Sequence, residues 1–295
     1  MIESLTPEIA IFTRVAEVGS FKAVADETGY TSSGISRMVS RLEDSLHVKL
    51  LHRSTRKLAL TPEGDRFLAF ARKILATVEA AEAEVSKAHG QPKGHLRLNC
   101  GTAFANHKLS RLMPSWADMY PEISTDICVS DHRIDPLSSN VDITIRVGPS
   151  VDSDLVAIRL GEVERVVAAS PAYLSKNGTP RHAKDLHNHN CLLLNGFPRL
   201  ARWPFLEEGR RIDIAASGSI MSDSAEFLLY AAIAGVGIVR LGDFLGADAL
   251  ASKKLIPILV DTHFSDPQPI TALVAPGRQS IPRIRAFIDF LRANL

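Results

Sequence analysis

Between residues 31 and 41 of this chain, hydroxyl and guanidinium side chains recur along one side of a predicted helix. No acid lies in this set, which comprises Thr31, Ser32, Ser33, Ser36, Arg37 and Arg41. Arginine donates paired hydrogen bonds to guanine edges and phosphate oxygens, and small hydroxyls add contacts to bases and to the backbone. The chemistry is that of a nucleic-acid contact, with Ser33, Ser36 and Arg37 as the candidates for the major groove.

The helix that would carry these side chains has an apolar opposite face. Residues recur there at the spacing of one helical side, namely Ile35, Met38, Val39, Leu42 and Leu46. A shorter helix over 21–28 precedes it, and Gly29 and Tyr30 form the turn, with Thr31 or Ser32 as the cap of the second helix. Two short helices joined by a tight turn favour a helix-turn-helix, although an ordinary pair of packed helices fits the periodicity equally well.

A β-hairpin is predicted directly after the second helix. Short extended runs at 50–53 and 57–60 flank a polar turn, and Arg53 and Arg56 on this wing are expected to contact phosphates or the adjacent minor groove. Residues 31–60 hold six basic residues and two acids, a net charge of +4, whereas the whole chain carries only +1. A basic stripe on a nearly neutral protein indicates a phosphate-binding surface.

Fixed spacings in this region resemble a known family. The run from 20 to 64 is similar to the N-terminal domain of LysR-type transcriptional regulators. The matching positions are Ser20, Phe21, Ala23, Ala25, Ser36, Arg37, Val39, Leu42, Glu43, Leu46, Leu50, Arg53, Leu60, Thr61 and Gly64. The resemblance implies a winged helix-turn-helix that binds double-stranded DNA, followed by a linker helix that forms a homodimer and by an effector-binding domain.

A long helix is predicted after the wing. Thr61-Pro62-Glu63 is a helix start, and residues 65–89 contain neither proline nor glycine. Apolar side chains alternate there at intervals of four and three, a heptad seam formed by Phe67, Ala71, Ile74, Val78, Ala81 and Val85. The seam predicts self-association into a homodimer or homotetramer, and packing against the helix's own domain is the alternative.

Composition places the chain among globular proteins. Of its 295 residues, 45% are apolar and 23% are charged, and no apolar run reaches the roughly 18 residues that span a bilayer. The N-terminus lacks the basic segment of a signal peptide. Cys100, Cys128 and Cys191 are odd in number and far apart, which indicates reduced, small buried side chains in a cytoplasmic protein. The lack of a spanning apolar run predicts no membrane partner. A redox role for one of them is the alternative.

Strands and helices alternate after a break at Gly90-Gln-Pro-Lys-Gly94. The pattern predicts strands at 95–100, 124–129, 141–147, 165–169, 191–194, 212–215, 238–240, 257–260 and 270–274, and helices at 106–120, 171–176, 224–234 and 281–295. This alternation indicates an α/β fold. The family resemblance implies two subdomains, like those of periplasmic binding proteins, with a ligand cleft between them.

These boundaries divide the chain into four parts. They are a winged helix-turn-helix domain at 1–61, a linker helix for dimerisation at 62–89, a hinge at 90–94 and an effector-binding α/β domain at 95–295. Within the last part, subdomain I is expected at about 95–163 and 268–295, and subdomain II at about 164–267.

Two strand-to-helix turns have the chemistry of a carboxylate site. Thr102 follows one strand and Ser222 precedes a later helix, so free N–H groups and the positive ends of helices would face a ligand. Simple helix capping by these hydroxyls is the alternative. Phe104 would cover the ligand body, and Arg146 either faces the cleft or forms a structural ion pair. The full set is Thr102, Ala103, Phe104, Arg146, Asn195 and Ser222, of which Asn195 rests on the family resemblance alone.

The sequence contains no nucleophile elbow, phosphate-binding loop or zinc-protease motif. His182, His187 and His189 cluster in a polar connector, where a solvated loop is favoured over a metal site. We therefore expect neither catalysis nor a metal nor a cofactor.

The prediction from the sequence is a cytoplasmic, sequence-specific transcriptional regulator. It responds to a small-molecule effector, a carboxylate by this reasoning, and RNA polymerase is a further candidate partner. A small-molecule enzyme or solute-binding protein with an accessory helical module is the second hypothesis. An architectural DNA binder without sequence preference is the third, and it would leave the large α/β half without a role.

Overall fold

The computed structural model describes residues 5–53, 58–86, 92–131, 141–149, 155–196 and 198–295. The first helices are α1 (Thr6–Val18), α2 (Phe21–Thr28) and α3 (Ser32–Leu46). Phe12, Val24 and Ile35, one from each helix, have 0% exposure and meet in a single core. The apolar stripe of α3 therefore packs inward, as its periodicity predicts.

Local hydrogen bonds set the turns of the helix-turn-helix. Ser20 Oγ accepts from Ala23 N at 3.2 Å, and Thr31 Oγ1 accepts from Gly34 N at 3.1 Å. Both are N-caps that satisfy an amide without a helical partner. Gly29 ends α2 in the left-handed region, with φ of 74°, which glycine adopts without strain. These contacts identify Thr31, rather than Ser32, as the cap of α3.

A buried carboxylate fixes the start of the wing. Glu43 Oε1 accepts from Leu50 N at 2.9 Å and from Leu51 N at 3.1 Å, and Glu43 Oε2 accepts from Lys49 Nζ at 3.0 Å. The Glu43 side chain has 0% exposure. The strand β1 (Leu51–Arg53) then pairs antiparallel with β2 (Leu58–Leu60). The acid of α3 is thus used inside the domain to orient the hairpin.

The linker helix α4 (Pro62–Ser86) begins against the wing. Thr61 Oγ1 accepts from Gly64 N at 2.9 Å and donates to Lys49 O at 2.7 Å. A Cβ at Gly64 would lie 2.0 Å from Leu50 O. Only glycine permits this close approach of α4 to Leu50, which follows α3 in the chain. The direction of α4 is therefore fixed relative to that of α3.

The effector domain contains two sheets of five strands each in its described part. The strands of the first are β3 (Gly94–Cys100), β4 (Ile123–Val129), β5 (Ile143–Val147), β6 (Val156–Val163) and β14 (Gln268–Val274). Their order is β4-β3-β5-β14-β6, with β3 parallel to β4 and β5 and with β14 antiparallel to both of its neighbours.

Helices cover the first sheet around a buried tryptophan. They are α5 (Thr102–Phe104), a π-helical turn (Ala105–Leu109), α6 (Ser110–Met119) and α10 (Pro282–Asn294). Trp116 of α6 packs edge-on against Phe287 of α10, at 4.8 Å between ring centroids. The predicted helix over 106–120 thus starts at Thr102 and includes a wider π turn.

The second sheet carries helices on one face and a hairpin on the other. Its strands are β7 (Arg165–Ala169), β8 (Cys191–Leu194), β11 (Met221–Ser222), β12 (Ile238–Gly242) and β13 (Ile256–Pro257), in the order β11-β8-β12-β7-β13. One face packs on α8 (Ala225–Ile233) and α9 (Asp243–Ala251). The other packs on α7 (Pro171–Asn177) and on the antiparallel hairpin β9 (Arg202–Glu207) and β10 (Arg210–Ala215).

The chain crosses between the two sheets twice, from β6 into β7 and from β13 into β14. Where two α/β units are joined by two crossovers, a crevice is expected between them at the carboxyl ends of their strands. The predicted fold class is confirmed: a winged helix-turn-helix and a linker helix precede a two-part α/β effector domain.

Candidate nucleic-acid interface and ligand cleft

The outer side of α3 presents the side chains that were predicted to meet DNA. Thr31, Ser32, Ser33 and Arg37 are exposed, and Ser36 is half-buried. Thr31 Oγ1 lies 3.1 Å from Ser33 Oγ, while it also caps the helix. The first two turns of α3 therefore offer hydroxyls and one guanidinium at a single surface, which is the chemistry of major-groove readout.

Arg41, one turn beyond Arg37, lies beside an acid of α1. Its Nη1 is 3.6 Å from Glu8 Oε1, and its side chain is 69% exposed. An ion pair this exposed is worth about 0–1 kcal/mol. A DNA phosphate can therefore take the place of Glu8 at little cost in free energy.

The predicted wing contacts lie mostly outside the described residues. The backbone of Arg53 belongs to β1, but its side chain and the whole of Arg56 are not described. Lys49, near the base of the wing, remains 68% exposed although Glu43 holds its ammonium group. Tyr30 is 56% exposed in the turn before α3. Tyr30 is a further candidate contact. The residues predicted from the sequence to contact DNA are all polar or charged and leave it out, although an aromatic ring in a polar turn is itself a signal.

The first part of the predicted dimerisation seam is used inside its own domain. Phe67 packs edge-on against Phe12, with 5.6 Å between ring centroids. Ala71 has 0% exposure in the same core. For these two residues, the alternative of packing against the helix's own domain applies.

A different apolar stripe of α4 faces outward. Phe70 is 62% exposed and Ile74 is 41% exposed, and Ala81 is exposed on the same side. Val78 is half-buried, and the side chain of Val85 lies outside the described residues. Positions 70, 74, 77 and 81 recur at helical spacing, so the outward stripe includes Phe70, which the seam read from the sequence leaves out.

The two strand-to-helix turns of the effector domain border one crevice. α5 lies against α8, and Glu226 in the first turn of α8 accepts from Asn106 Nδ2 at 3.2 Å. A second hydrogen bond joins Glu226 Oε1 and His107 Nε2 at 3.0 Å. Both partners belong to the π-helical turn, a feature that re-aims side chains and often marks functional sites. The structure thus brings the turn at Thr102 close to the first turn of α8, which follows the turn at Ser222.

The amide of Thr102 already has an anionic partner. Asp131 Oδ1 accepts from Thr102 N at 2.9 Å, and a Cβ at Gly101 would lie 2.8 Å from the same oxygen. The Thr102 hydroxyl makes no hydrogen bond within the part of the chain that the structure describes. What Thr102 offers to a ligand is therefore its hydroxyl rather than its amide. Ala103 next to it packs toward α8.

Asn195 and Ser222 lie side by side at the ends of β8 and β11. Asn195 N donates to Ser222 O at 2.7 Å, and Asn195 Oδ1 accepts from Gly196 N at 2.8 Å. Ser222 Oγ accepts from Ser224 N at 3.1 Å, and Ser224 Oγ accepts from Phe227 N at 3.2 Å. Capping of α8 is thus the work of Ser224, and Ser222 closes the turn in front of it.

The two remaining cleft candidates are held within the first sheet. Arg146 Nη2 donates to Asn99 Oδ1 at 2.6 Å, and Arg146 Nη1 donates to Ile145 O at 3.3 Å. Phe104 is 2% exposed, and its ring lies edge-on to that of Phe244 at 6.4 Å. The Phe104 side chain therefore lies behind the crevice wall instead of covering a ligand.

Neither the buried thiols nor the histidine cluster has the surroundings of a reactive site. Burial raises the pKa of Cys100 and of Cys191 to about 11, which keeps both thiols protonated and unreactive. Cys128 is exposed. His189 Nδ1 forms a hydrogen bond with Tyr173 Oη at 3.2 Å. Within the described ranges, no group of three His, Cys, Asp or Glu side chains is placed to hold a metal ion.

A winged helix-turn-helix joined through a linker helix to a two-part crevice domain defines a ligand-responsive transcriptional regulator. Residues 7–65 match the family model described as bacterial regulatory helix-turn-helix protein, lysR family. Residues 89–295 match the LysR substrate binding domain. The chain belongs to the LysR family of transcriptional regulators, and its effector domain is the family's ligand-binding unit.

Individual relatives extend over nearly the whole chain. The HTH-type transcriptional regulator CrgA of Neisseria meningitidis serogroup C (strain 8013) is 36% identical over 289 residues, which cover 98% of this chain and 96% of that protein. The HTH-type transcriptional activator AaeR of Escherichia coli (strain K12) is 31% identical over 283 residues, covering 96% and 91%. These relatives are regulators, and the present chain is likewise a transcriptional regulator and not an enzyme.

Solved structures agree with the fold over the same extent. That of CrgA from Neisseria meningitidis has a TM-score of 0.64 at 34% identity and covers 97% of each chain. The full-length virulence activator AphB of Vibrio cholerae has a TM-score of 0.59 at 28% identity and covers 98% of this chain and 99% of that one. No helix in the described ranges is both long and apolar enough to cross a membrane.

Proposed function

We propose that this regulator reads specific DNA sequences with the first two turns of α3. The observation that carries the proposal is the exposed, acid-free group of hydroxyls and arginine at that end of the helix. Arg37 supplies a guanine or phosphate contact, and Ser33 and Ser36 supply shorter contacts to base edges. Arg53 and Arg56 on the wing add phosphate contacts. The protein then acts in the cytoplasm, and RNA polymerase is a candidate partner at the promoter.

Substitution of Arg37 by alanine should weaken specific DNA binding by about 1–3 kcal/mol without loss of the fold. The side chain is exposed, so its removal opens no cavity in the core. The effect is measured by fluorescence anisotropy as the affinity for a duplex that holds an operator of the wild-type protein, compared with the affinity for an unrelated duplex of equal length.

Arg210→Ala, on an exposed residue of the effector domain, is the matched control and should bind as the wild type does. An Arg37→Ala variant that loses the same affinity for both duplexes would favour a sequence-blind binder. Unchanged affinity would remove Arg37 from the interface.

The outward stripe of α4 supports assembly into a homodimer, and a pair of dimers would form a homotetramer. Phe70 and Ile74 expose apolar surface on a helix that leads away from the DNA-binding unit. Pairing two such helices covers this surface and places two copies of α3 on one side of the duplex. A symmetric target sequence then matches the symmetry of the protein.

The effector in this proposal is a small carboxylate that binds in the crevice between the two sheets. Its walls are supplied by Thr102, Ala103, Asn195 and Ser222, with Arg146 held behind them. The Thr102 hydroxyl, which makes no hydrogen bond within the described residues, supports the proposal from the first subdomain, and the adjoining strand ends at Asn195 and Ser222 support it from the second. A ligand that contacts both sides favours one relative arrangement of the two units.

Thr102→Val keeps the shape of the side chain and removes the hydroxyl, so it should reduce the stabilisation that an effector confers on the full chain. An effector at about 100 times its dissociation constant adds about 2.7 kcal/mol to the wild type, and the variant should show a clearly smaller gain. A thermal-shift screen of metabolite carboxylates on both proteins measures it, with the exposed Thr179→Val as control. Equal gains in all three proteins would exclude the Thr102 hydroxyl from the site.

Footprinting tests the proposed function as a whole. Protection of DNA directly upstream of the regulator's own gene, altered by a carboxylate found in the screen, is the expected result. Protection that no effector alters would leave DNA binding in place and reject the crevice as a control site.

A further inference from the structure

Two arginine side chains lie side by side on the hairpin-covered face of the second sheet. Arg165 of β7 is paired in register with Gly242 of β12, so Arg240 is its diagonal neighbour. Both face the hairpin side, because Val167 and Ile238, which lie two residues away along the two strands, belong to the core on that side. Long side chains at diagonal positions on one face are within reach of each other.

Arg240 is buried and firmly held. It is 8% exposed, its Nε donates to His263 Nε2 at 3.0 Å, and its Nη2 donates to Ser265 O at 3.1 Å. His263 must be neutral to accept this hydrogen bond. Burial, followed by the charges of Arg240 and Arg165, lowers the pKa of His263 to about 4. The histidine is therefore uncharged at neutral pH. It adds no positive charge to this site and does not offset the charge of the arginines.

Among the described residues, Arg165 has no hydrogen-bond partner for its side chain. Its Nε is buried without an acceptor, and no hydrogen bond or ion pair joins its side chain to any residue in the described ranges. Burial lowers its pKa, and Asp266 is the acid that partly offsets this. The residue as a whole is half-buried, so part of it lies at the surface.

The acids near this pair are fewer than the cations. Asp213 Oδ1 accepts from Arg211 Nε at 3.2 Å, and Asp266 Oδ1 lies 3.8 Å from Arg211 Nη1. Three guanidinium groups thus share two carboxylates, and burial together with the charge of Arg165 lowers the pKa of Arg240 to about 10. A desolvated charge without a counter-ion is destabilising, so an anion that binds here relieves an unfavourable interaction.

We propose that Arg165 and Arg240 form a second anion site, which takes one carboxylate or similar oxoanion group of a small molecule. Guanidinium groups match the planar oxygens of such groups with paired, charge-assisted hydrogen bonds. The site is separate from the crevice, because α8, which borders the crevice, packs on the opposite face of the same sheet.

This site has a position from which it can influence the arrangement of the two sheets. Arg165 opens the second sheet directly after the crossover from β6, and Ser265 lies in the return crossover toward β14. An anion between the guanidinium groups therefore contacts Arg165 directly and reaches the return crossover through the hydrogen bond of Arg240 to Ser265 O, so its binding couples to their relative position.

The test uses the full chain with sodium sulfate and sodium malonate as probes and sodium chloride at equal ionic strength as reference. Thermal unfolding is followed by tryptophan fluorescence, since both tryptophans, Trp116 and Trp203, belong to the effector domain. At saturation, at least one probe should raise the wild-type midpoint by about 5 °C beyond chloride. Arg165→Gln should lose most of this shift, and the control Arg210→Gln should keep it.

Three outcomes would overturn the proposal. They are no shift in the wild type with either probe, an equal shift in Arg165→Gln, and a shift that Thr102→Val abolishes while Arg165→Gln keeps it, which would place the anion in the crevice. If Arg165→Gln does not fold, modification of the wild type by phenylglyoxal decides. The stabilising probe should slow labelling of Arg165 several-fold relative to chloride, whereas undiminished labelling would refute the site.

Discussion

Replacing Glu43 by alanine is expected to unfold the DNA-binding domain under conditions in which the effector domain remains folded. The change leaves the amides of Leu50 and Leu51 and the ammonium group of Lys49 without their acceptor. Each buried backbone N–H left without its acceptor costs about 1–3 kcal/mol, so the two amides together lose about 2–6 kcal/mol. That is a large share of the roughly 5–15 kcal/mol by which an ordinary domain is stable.

The same carboxylate should make the stability of this domain depend on acid pH. Burial of Glu43 opposes its ionisation, but hydrogen bonds from Lys49, Leu50 and Leu51 together outweigh burial and hold its pKa below the ordinary value. A carboxyl group with a lowered folded-state pKa stabilises fully above its unfolded pKa of about 4.3 and loses this contribution as the pH falls further. Glu43→Gln should lack this acid-dependent loss and be less stable than the wild type at neutral pH.

Two spectroscopic signals separate the domains in this experiment. The two tryptophans report on the effector domain, while far-UV circular dichroism includes the helices of the DNA-binding domain. In a urea titration, Glu43→Ala should show an early loss of helix signal and an unchanged tryptophan transition. Asp44→Ala is the matched control, since Asp44 is 75% exposed and 3.9 Å from Lys49. A Glu43→Ala helix signal that coincides with that of Asp44→Ala would refute this stabilising role of the Glu43 carboxylate.

The second large effect concerns assembly. A variant with Phe70→Glu and Ile74→Glu should weaken the dimer by at least about 100-fold, because each buried unpaired carboxylate costs several kcal/mol and every dimer would contain four of them. Both positions are exposed within one chain, so the protomer itself should still fold. Analytical ultracentrifugation over a range of concentrations measures the change.

Ala69→Glu places the same charge on an exposed position of α4 away from the stripe. This control should remain a dimer at concentrations that dissociate the double variant. If the double variant and the control sediment alike as dimers, α4 does not form the interface through Phe70 and Ile74.

Periodicity identified the elements that obey a simple pattern and missed those that break one. β6 (Val156–Val163) lies at the edge of its sheet and is interrupted by Arg159, Gly161 and Glu162, so it lacks the long apolar run of a central strand. β9 (Arg202–Glu207) contains Pro204, which argues against a strand except at an edge or in an isolated hairpin. In α9 (Asp243–Ala251), Gly246 lowers helix propensity. A Cβ at this position would lie 2.7 Å from Leu241 Cδ1, so a larger residue would require the Leu241 side chain to move.

The functional sites likewise divide into those that local spacing predicts and those that depend on packing between elements. A polar face on α3 follows from helical spacing, because one helix needs no partner to set which side faces out. The outward stripe of α4 does not follow from helical spacing. Intervals of three and four occur on two faces of α4 at once, and only packing against Phe12 decides that Phe67 turns inward. The pairing of Arg165 with Arg240 depends on the register of β7 with β12, which local sequence does not determine.

The central claim is that this chain recognises particular DNA sequences as a symmetric assembly. The most direct measurement is selection of bound duplexes from a random pool by the full chain, followed by sequencing. We predict enrichment of one motif made of two inverted half-sites whose centres are one helical turn, or a multiple of it, apart. A pool that is retained by the protein but is as random after several rounds as at the start would contradict the claim.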